Sequence, residues 1–288
     1  MIKKGIILAG GHGTRMSPLT KSVNKQLLPI YDKPLIYYPL SVLMLAGIRD
    51  ILVIVNKGQT KEFRKILFDG KRFGVKISFK EQEYPKGLPD AFIVGEKFIG
   101  KENVALILGD NFFYGQNFSS SLKECTNLKD GAKVFLHPVS NPSAYGVATI
   151  NNKNKILKLI EKPKVNISNL AVTGLYFFDN KVISFSKKLK LSKRKELEII
   201  DLLNIYRKKN KLQSRFLGRG GAWLDTGTIK DFYDTSAFVS TLENRQGLKI
   251  ACLEEIAFNK NWINTRQLIE AISFYGKCNY ADYLKRLL

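Results

Sequence analysis

The chain has 288 residues, of which 44% are hydrophobic and 25% are charged. A chain of this length and composition can bury a sizeable core, so an intrinsically disordered protein is excluded. No apolar run approaches the ~20 residues of a membrane-spanning helix, and only Met1–Lys4 precede the first buried strand. We therefore predict no membrane segment, no secretory leader and a cytoplasmic protein.

The net charge of +22 does not by itself identify the kind of anionic ligand that the protein binds. A large excess of lysine is typical of nucleic-acid-binding proteins, but also of proteins that attract anionic nucleotides. The lysines are dispersed and lack an interleaved aromatic pattern, so we expect no specific nucleic-acid function and keep nucleic-acid binding as an alternative. Three scattered cysteines and two histidines offer no disulfide framework or zinc site, so a metal here should have oxygen ligands.

The order of apolar segments predicts an α/β protein. Buried strands are expected at 6–9, 51–55 and 104–108, separated by helical periodicity at 34–47, 60–69 and 88–97, with Pro34 and Pro89 suited to first helical turns. This alternation predicts parallel strands joined by right-handed crossovers. Further strands are expected at 75–79, 132–138, 146–150, 155–160, 172–178 and 212–217, and helices at 229–243, 264–275 and 279–287. We expect a core at 1–228 and a helical C-terminal segment at 229–288 packed on it.

A glycine-rich loop follows the first predicted strand. Its residues are Gly10, Gly11, Gly13, Thr14 and Arg15. Glycines allow backbone N–H groups to approach a polyanion, and an arginine adds a forked cationic donor. The loop lacks the Gly-Lys-Ser/Thr ending of a P-loop and the third glycine of a dinucleotide-binding fingerprint. It is a candidate phosphate cradle, although a simple strand-ending turn remains the alternative.

Two aspartates have the setting of a metal site. Asp110 follows the apolar run 104–108 at the carboxyl end of a predicted parallel strand, the edge where open α/β sheets bind ligands. Asp225 lies in a similar setting between a strand and a loop. Two carboxylates together with phosphate oxygens commonly bind Mg²⁺. The alternative is that Asp110 simply caps the turn that follows it.

The motifs resemble those of the sugar-1-phosphate nucleotidylyltransferases. GGHGTR at 10–15 and KQLLP at 25–29 are similar to the signature of that family, and YDKPLIYYPLSVLMLAGI at 31–48 is similar to the glucose-1-phosphate thymidylyltransferases in particular. Similar blocks continue to residue 257, among them LILGDNFFYG, IEKPK, AVTGLYFFD and AWLDTGT. The resemblance implies a Rossmann-like nucleotidyltransferase core with a mainly parallel mixed sheet, inserted sugar-binding strands and a C-terminal helical segment used in assembly and regulation.

The resemblance also implies a role for each matching residue. The implied catalytic residues are Arg15, Lys25, Lys162, Asp110 and Asp225, the two aspartates being the metal ligands. The implied nucleotide-binding residues are Gly10, Gly11, Gly13, Thr14, Arg15, Gln26, Gln82, Pro85, Gly87 and Asp110. The implied sugar-phosphate-binding residues are Tyr145, Gly146, Glu161, Lys162, Val172, Arg194 and Trp223. Relatives usually carry glycine after the arginine that corresponds to Arg194. This chain has Lys195 there, so the sequence leaves open the geometry of the turn that contains Arg194.

The implied reaction joins dTTP and glucose 1-phosphate into dTDP-glucose and pyrophosphate, with Mg²⁺ as cofactor. The attacking phosphate oxygen is already anionic, so no general base is needed and the scarcity of histidine is consistent with this. The same chemistry with UTP or another hexose 1-phosphate is the nearest alternative. A phosphate-binding NTPase is disfavoured because the Walker lysine is absent.

The resemblance further implies a homotetramer inhibited by dTDP-L-rhamnose at a second site. Tyr114, Gly115, Arg219 and Glu255 match positions of that site. Gln116 and Asn259 do not match, because relatives commonly carry histidine and arginine there. Loss of an arginine that pairs with a diphosphate predicts weakened feedback inhibition, unless a surface lysine substitutes.

Overall fold

The structure is a computed structural model that describes residues 1–11 and 13–288. Within these ranges the chain forms 13 strands and 11 α-helices. The strands are β1 (Lys4–Leu8), β2 (Pro29–Ile30), β3 (Lys33–Pro34), β4 (Asp50–Asn56), β5 (Lys76–Gln82), β6 (Val104–Leu108), β7 (Asn111–Tyr114), β8 (Ala132–Pro138), β9 (Gly146–Ile150), β10 (Ile156–Glu161), β11 (Leu170–Phe178), β12 (Leu212–Phe216) and β13 (Ala222–Asp225). The helices are α1 (Tyr37–Leu45), α2 (Thr60–Leu67), α3 (Asp90–Val94), α4 (Glu96–Ile99), α5 (Phe118–Thr126), α6 (Val182–Lys187), α7 (Ile199–Lys208), α8 (Ile229–Gln246), α9 (Leu253–Asn259), α10 (Thr265–Tyr275) and α11 (Asn279–Lys285).

One mixed sheet organises the chain. Its main path runs β10, β9, β11, β6, β1, β4, β5, and β8 lies on the other side of β11 with β12 beyond it. The pairs β6–β1, β1–β4 and β4–β5 are parallel, whereas β11 is antiparallel to β6, β8 and β9. The predicted α/β class with a mainly parallel central sheet is confirmed. The three apolar runs at 6–9, 51–55 and 104–108 are adjacent parallel strands, which brings their carboxyl ends to one edge.

The strands of this parallel region are apolar on both faces because helices cover both sides of the sheet. Ile7 and Val53 belong to one hydrophobic cluster, which also contains residues of α1. Ile6 and Ile54 belong to a second cluster on the opposite face, with residues of α3 and α7. Continuous hydrophobic runs in the sequence therefore correspond to strands buried from both sides.

Two helix predictions differ from the structure, one at Pro34 and one at Gly95. Pro34 does not start a helix, because it pairs with Pro29 in the short β2–β3 ladder, and α1 begins at Tyr37. The single helix expected at 88–97 is two short helices, α3 and α4, which meet at Gly95. Gly95 N–H donates to the carbonyl of Ala91, and a Cβ at this position would lie 2.8 Å from that oxygen, so the close approach requires glycine.

The C-terminal helices continue from the sheet rather than from a linker. Thr228 caps α8 by accepting a hydrogen bond from Asp231 N, immediately before the expected boundary at residue 229. Leu253 and Ala257 of α9 are buried in the same hydrophobic cluster as the central strands. Buried Glu254 accepts hydrogen bonds from Tyr275 Oη at 2.7 Å and Tyr280 Oη at 2.6 Å, which fastens α10 and α11 to α9. No helix in the described part of the chain is long and apolar enough to cross a membrane.

Candidate active site

The glycine-rich loop leaves β1 with two residues in the left-handed region of backbone space. Gly11 has φ +105° and Gly13 has φ +58°, conformations that glycine adopts without a steric penalty. Asn56, at the end of β4, holds the loop by a paired contact: Gly11 N donates to Asn56 Oδ1 at 2.9 Å, and Asn56 Nδ2 donates to Gly11 O at 2.9 Å. Thr20 Oγ1 donates to Gly13 O at 2.8 Å. Gly11 is thus held against the carboxyl end of β4, and Gly13 is held by Thr20.

Lys25 is buried behind the cavity and points to Asp110. Asn24 starts the turn that carries Lys25, with its side chain accepting from Gln26 N. Lys25 Nζ lies 2.8 Å from Asp110 Oδ2, and the lysine side chain is only 8% exposed. Burial alone would raise the pKa of Asp110, but the ammonium of Lys25 and the amide of Asn111 hold that pKa below its usual value. Asp110 is therefore ionised and available as an oxygen ligand.

Asp225 reaches the same place from the short β7–β13 ladder, where it pairs with Asn111. Burial and the negative charge of Asp110 raise the pKa of Asp225 to about 7, against the partial opposition of Lys25 and Arg15. A Cβ at Gly227 would lie 3.0 Å from Arg15 Nη2 and 3.1 Å from Asp225 Oδ2, so the glycine leaves room for Arg15 beside this carboxylate.

Two carboxylates that repel each other, one after the parallel strand β6 and one at the end of β13, fit a divalent cation with oxygen ligands. Among the described residues no group of three or more histidine, cysteine, aspartate or glutamate side chains could hold a metal. A site of two carboxylates suits Mg²⁺, which keeps several waters and takes further oxygens from substrate phosphates. Asp110 and Asp225 are the residues that would hold it.

Gln82, Pro85 and Gly87 line one side of the cavity. Gln82 ends β5 opposite Asn56 of β4, and its Nε2 donates to Asn56 Oδ1 at 3.1 Å. Gly87 has φ +105°, and a Cβ there would lie 2.1 Å from the carbonyl oxygen of Leu197. Leu197 N in turn donates to Lys86 O at 2.7 Å. The segment that contains Lys86 and Gly87 is therefore attached directly to the segment that contains Arg194.

The other side of the cavity combines paired charges with two aromatic rings packed edge to face. Arg194 donates to Glu198 at 2.6 Å and to Glu161 at 3.0 Å, and burial together with Glu198 raises the pKa of Glu161. Tyr145 packs edge to face on Trp223 with ring centroids 5.1 Å apart, a wall suited to a pyranose face.

Asn111, the neighbour of Asp110, supports this side of the cavity. Its Oδ1 accepts from Trp223 Nε1 at 2.7 Å and from Gly174 N at 3.1 Å, and its Nδ2 donates to Asp110 Oδ1 at 3.0 Å. The buried amide of Asn111 thus connects Asp110 to the ring of Trp223.

The turn that contains Arg194 forms even though lysine, and not glycine, stands at position 195. Lys195 has φ +60°, a left-handed conformation, and its N–H donates to Ser192 O at 2.9 Å. A lysine in this conformation costs about 1 kcal/mol relative to glycine. Arg194 nevertheless lines the cavity, so the turn geometry survives the substitution.

One cavity of about 440 Å³ collects most of the predicted residues. Those that line it are Gly10, Gly11, Arg15, Gln82, Pro85, Gly87, Asp110, Tyr145, Gly146, Glu161, Lys162, Val172, Arg194, Trp223 and Asp225. Gly13, Thr14, Lys25 and Gln26 do not line it; Lys25 acts on it through Asp110. Asn56, Asn111 and Glu198 were not identified from the sequence, nor was Glu196, which also lines the cavity. The only indication of Asn111 in the sequence is its position directly after Asp110.

The proposed regulatory residues lie apart from this cavity. Tyr114, Gly115 and Glu255 line a second cavity of about 380 Å³, together with Asn259 and Lys260. Arg219 does not line it and is exposed in the loop before β13. Three of the four residues predicted for the regulatory site therefore line one cavity, and Arg219 does not.

Comparison with known proteins identifies the class to which this fold and cavity belong. The chain matches the family model described as Nucleotidyl transferase over residues 4–241, and it belongs to that family. It is 52% identical to the glucose-1-phosphate thymidylyltransferase of Neisseria meningitidis serogroup A, with 99% of each chain covered. It is 48% identical to the protein of the same name from Mycobacterium tuberculosis, again with 99% of each chain covered. A solved UDP-glucose pyrophosphorylase in complex with UDP-glucose has a TM-score of 0.75 at 27% identity, covering 84% of this chain and 100% of that one.

Proposed function

We propose that this protein transfers a thymidylyl group from dTTP to α-D-glucose 1-phosphate and releases pyrophosphate. The observation that carries the proposal is one cavity lined both by the glycine-rich loop with Gln82 and by Glu161, Lys162 and Arg194. Identity of about half of all positions with thymidylyltransferases, against 27% with a UDP-glucose pyrophosphorylase, favours dTTP over UTP.

The reaction is a direct in-line displacement. A phosphate oxygen of glucose 1-phosphate forms a bond to the α-phosphorus of dTTP, and the bond from that phosphorus to the bridging oxygen of pyrophosphate breaks. The nucleophile is already an anion, so no proton has to be removed and no covalent enzyme intermediate is formed. What the protein must supply is alignment of two polyanions and neutralisation of charge.

The residues divide this work by position. The Gly10–Gly11 loop, whose missing side chains let phosphate oxygens approach the backbone closely, and the Arg15 guanidinium bind the triphosphate, and Gln82 binds the base. Lys162 and Arg194 bind the phosphate of the sugar, while Glu161 accepts from sugar hydroxyls. Lys25 keeps Asp110 ionised. When Mg²⁺ is bound by Asp110 and Asp225, it supplies charge neutralisation to the phosphates.

A release assay tests the proposal. The protein is incubated with Mg²⁺, each of dTTP, UTP, ATP, GTP and CTP, and a panel of sugar 1-phosphates, while pyrophosphate and orthophosphate are measured separately. We expect pyrophosphate only when a sugar 1-phosphate is present, and the highest rate with dTTP and glucose 1-phosphate. Orthophosphate release without a sugar phosphate would instead favour an NTPase.

The product dTDP-glucose would enter the synthesis of dTDP-L-rhamnose and other deoxysugars used in polysaccharides, in the cytoplasm. We further propose a homotetramer whose second cavity binds dTDP-L-rhamnose weakly, since Asn259 lines that cavity where an arginine would pair with a diphosphate. Lys260 is the cation in the second cavity that has no carboxylate partner among the described residues. Sedimentation and an inhibition titration of the wild type and of Lys260→Ala test these two points.

A further inference from the structure

The amide of Asn56 determines which way the amide of Gln82 faces. Asn56 Oδ1 lies 2.9 Å from Gly11 N, which can only donate, and Asn56 Nδ2 lies 2.9 Å from Gly11 O, which can only accept. This paired contact with the backbone leaves one orientation for the Asn56 amide. The group of Gln82 that lies 3.1 Å from Asn56 Oδ1 must then be the donor Nε2.

The surroundings of Gln82 preserve this arrangement. The Gln82 side chain is buried, with 6% of its surface exposed, and its backbone carbonyl accepts from Lys57 N at 3.2 Å. A Cβ on Gly10 would lie 1.9 Å from Gln82 Nε2 and 3.1 Å from Asn56 Oδ1, so the absent side chain of Gly10 makes the space that the two amides share. Within the described part of the chain, Gln82 Oε1 has no hydrogen-bond partner and Gln82 lines the cavity.

We propose that Asn56 is a positioning residue that sets base specificity by fixing the Gln82 amide with Oε1 toward the base. This inference rests on the proposed function, because it concerns the nucleotide that the cavity accepts. Thymine and uracil carry an N3–H donor next to carbonyl acceptors, which matches an amide that offers an acceptor oxygen and the second N–H of Nε2. Cytosine carries an acceptor at N3 and a donor at N4, so it requires the reversed amide.

Reversal of Gln82 is opposed by Asn56. The reversed amide would place Oε1 against Asn56 Oδ1, so that two acceptors face each other and one hydrogen bond is lost. A hydrogen bond of this kind corresponds to a change of about tenfold in relative affinity. Asn56 therefore selects against cytosine through the orientation of Gln82, without having to contact the base.

Three substitutions separate this role from simple support of the loop. Asn56→Leu is similar in size and makes none of the hydrogen bonds, so it frees the Gln82 amide. Asn56→Asp keeps an acceptor for both Gly11 N and Gln82 Nε2 but cannot donate to Gly11 O. Gln59→Ala is the matched control, since Gln59 is an amide at the start of α2 that contacts Asn24 and not Gln82.

The experiment measures kcat/KM for dTTP, dUTP and dCTP with glucose 1-phosphate, and the dissociation constant of each nucleotide by calorimetry. We expect the dTTP-to-dCTP ratio to fall by about tenfold in Asn56→Leu. Asn56→Asp should keep that ratio while all three nucleotides lose activity, and Gln59→Ala should keep it as well. The dTTP-to-dUTP ratio should stay constant throughout, because both bases present the same edge.

The outcomes distinguish the inference from the function on which it rests. A wild-type protein that uses none of the three nucleotides would contradict the proposed function itself. A wild type that prefers dTTP, combined with an unchanged dTTP-to-dCTP ratio in Asn56→Leu, would overturn the role of Asn56 alone. Equal losses of that ratio in the leucine and aspartate variants would likewise show that loop support explains the effect. In a Gln82→Ala background, Asn56→Leu should cause no further change in the ratio.

Discussion

Replacing Asp225 with asparagine should stabilise the metal-free protein while abolishing its activity. Burial and the charge of Asp110 raise the pKa of Asp225 to about 7, from 3.8 for an ordinary aspartate. A carboxyl group whose pKa is raised by folding contributes stability below its unfolded pKa, and that contribution is lost as the pH rises through the folded pKa. Above about pH 7 the wild type therefore carries a buried charge that the unfolded chain exposes to water.

The magnitude follows from the interval between the two pKa values. An interval from 3.8 to about 7 corresponds to roughly 4 kcal/mol at about 1.4 kcal/mol per pH unit. Asp225 keeps part of its surface exposed, so solvent screening lowers the expected gain in the asparagine variant to about 2 kcal/mol. The gain should be small near pH 4, increase toward about pH 7 and then remain constant.

The measurement is the free energy of unfolding by urea near pH 5 and near pH 8 with a chelator present, followed by repetition with Mg²⁺. Asp110→Asn is the contrasting variant, since it leaves the buried ammonium of Lys25 without its partner and should destabilise the protein. Mg²⁺ should stabilise the wild type and neither variant, because a ligand stabilises only the state that binds it. Destabilisation by Asp225→Asn, or an equal effect at both pH values, would refute this reasoning.

Three further outcomes test other parts of the molecule. Lys162→Ala should lower turnover with glucose 1-phosphate by about a hundredfold yet leave dTTP affinity nearly unchanged in a calorimetric titration, whereas Lys164→Ala should alter neither. Glu254→Leu should lower the free energy of unfolding by about 1–3 kcal/mol because two partly buried tyrosine hydroxyls lose their acceptor, and an unchanged urea midpoint would contradict this. In the inhibition titration with dTDP-L-rhamnose, Lys260→Ala should weaken inhibition more than Arg219→Ala, since only Lys260 lines the second cavity; submicromolar potency of the wild type would mean that inhibition is not weak.

The parallel half of the fold was predictable because its strands are buried on both faces. Continuous apolar runs such as 51–55 have few other structural solutions in a chain of this size. The β7–β13 ladder was not predictable, since it joins Asn111–Tyr114 to Ala222–Asp225 across more than a hundred residues and has no local turn signal. The start of α1 was misassigned because Pro34 suits a first helical turn as well as the edge ladder in which it lies.

The residues of the candidate site also fall into those that local sequence predicts and those that it does not. The glycine-rich loop and Asp110 could be inferred because each follows an apolar strand directly, so local sequence carries the signal. The contacts that orient these groups could not, because Asn56, Asn111 and Glu198 act through partners that are remote in sequence or through side-chain direction. An amide or carboxylate at a strand end has no distinctive local pattern until its partner is known.

The contacts of Arg194 with two carboxylates affect how it would bind a sugar phosphate. In the structure its guanidinium is paired with Glu198 and Glu161, so a sugar phosphate would have to compete with carboxylates for its donors. Under the proposed function Glu161 also accepts from sugar hydroxyls, and the incoming substrate can replace the contact with Arg194 at that residue. The pair with Glu198 can persist, because a guanidinium has five donors and a carboxylate occupies only some of them. Because Leu197 N donates to Lys86 O at 2.7 Å, the segment that contains Arg194 also has a backbone attachment that does not depend on this exchange of side-chain contacts.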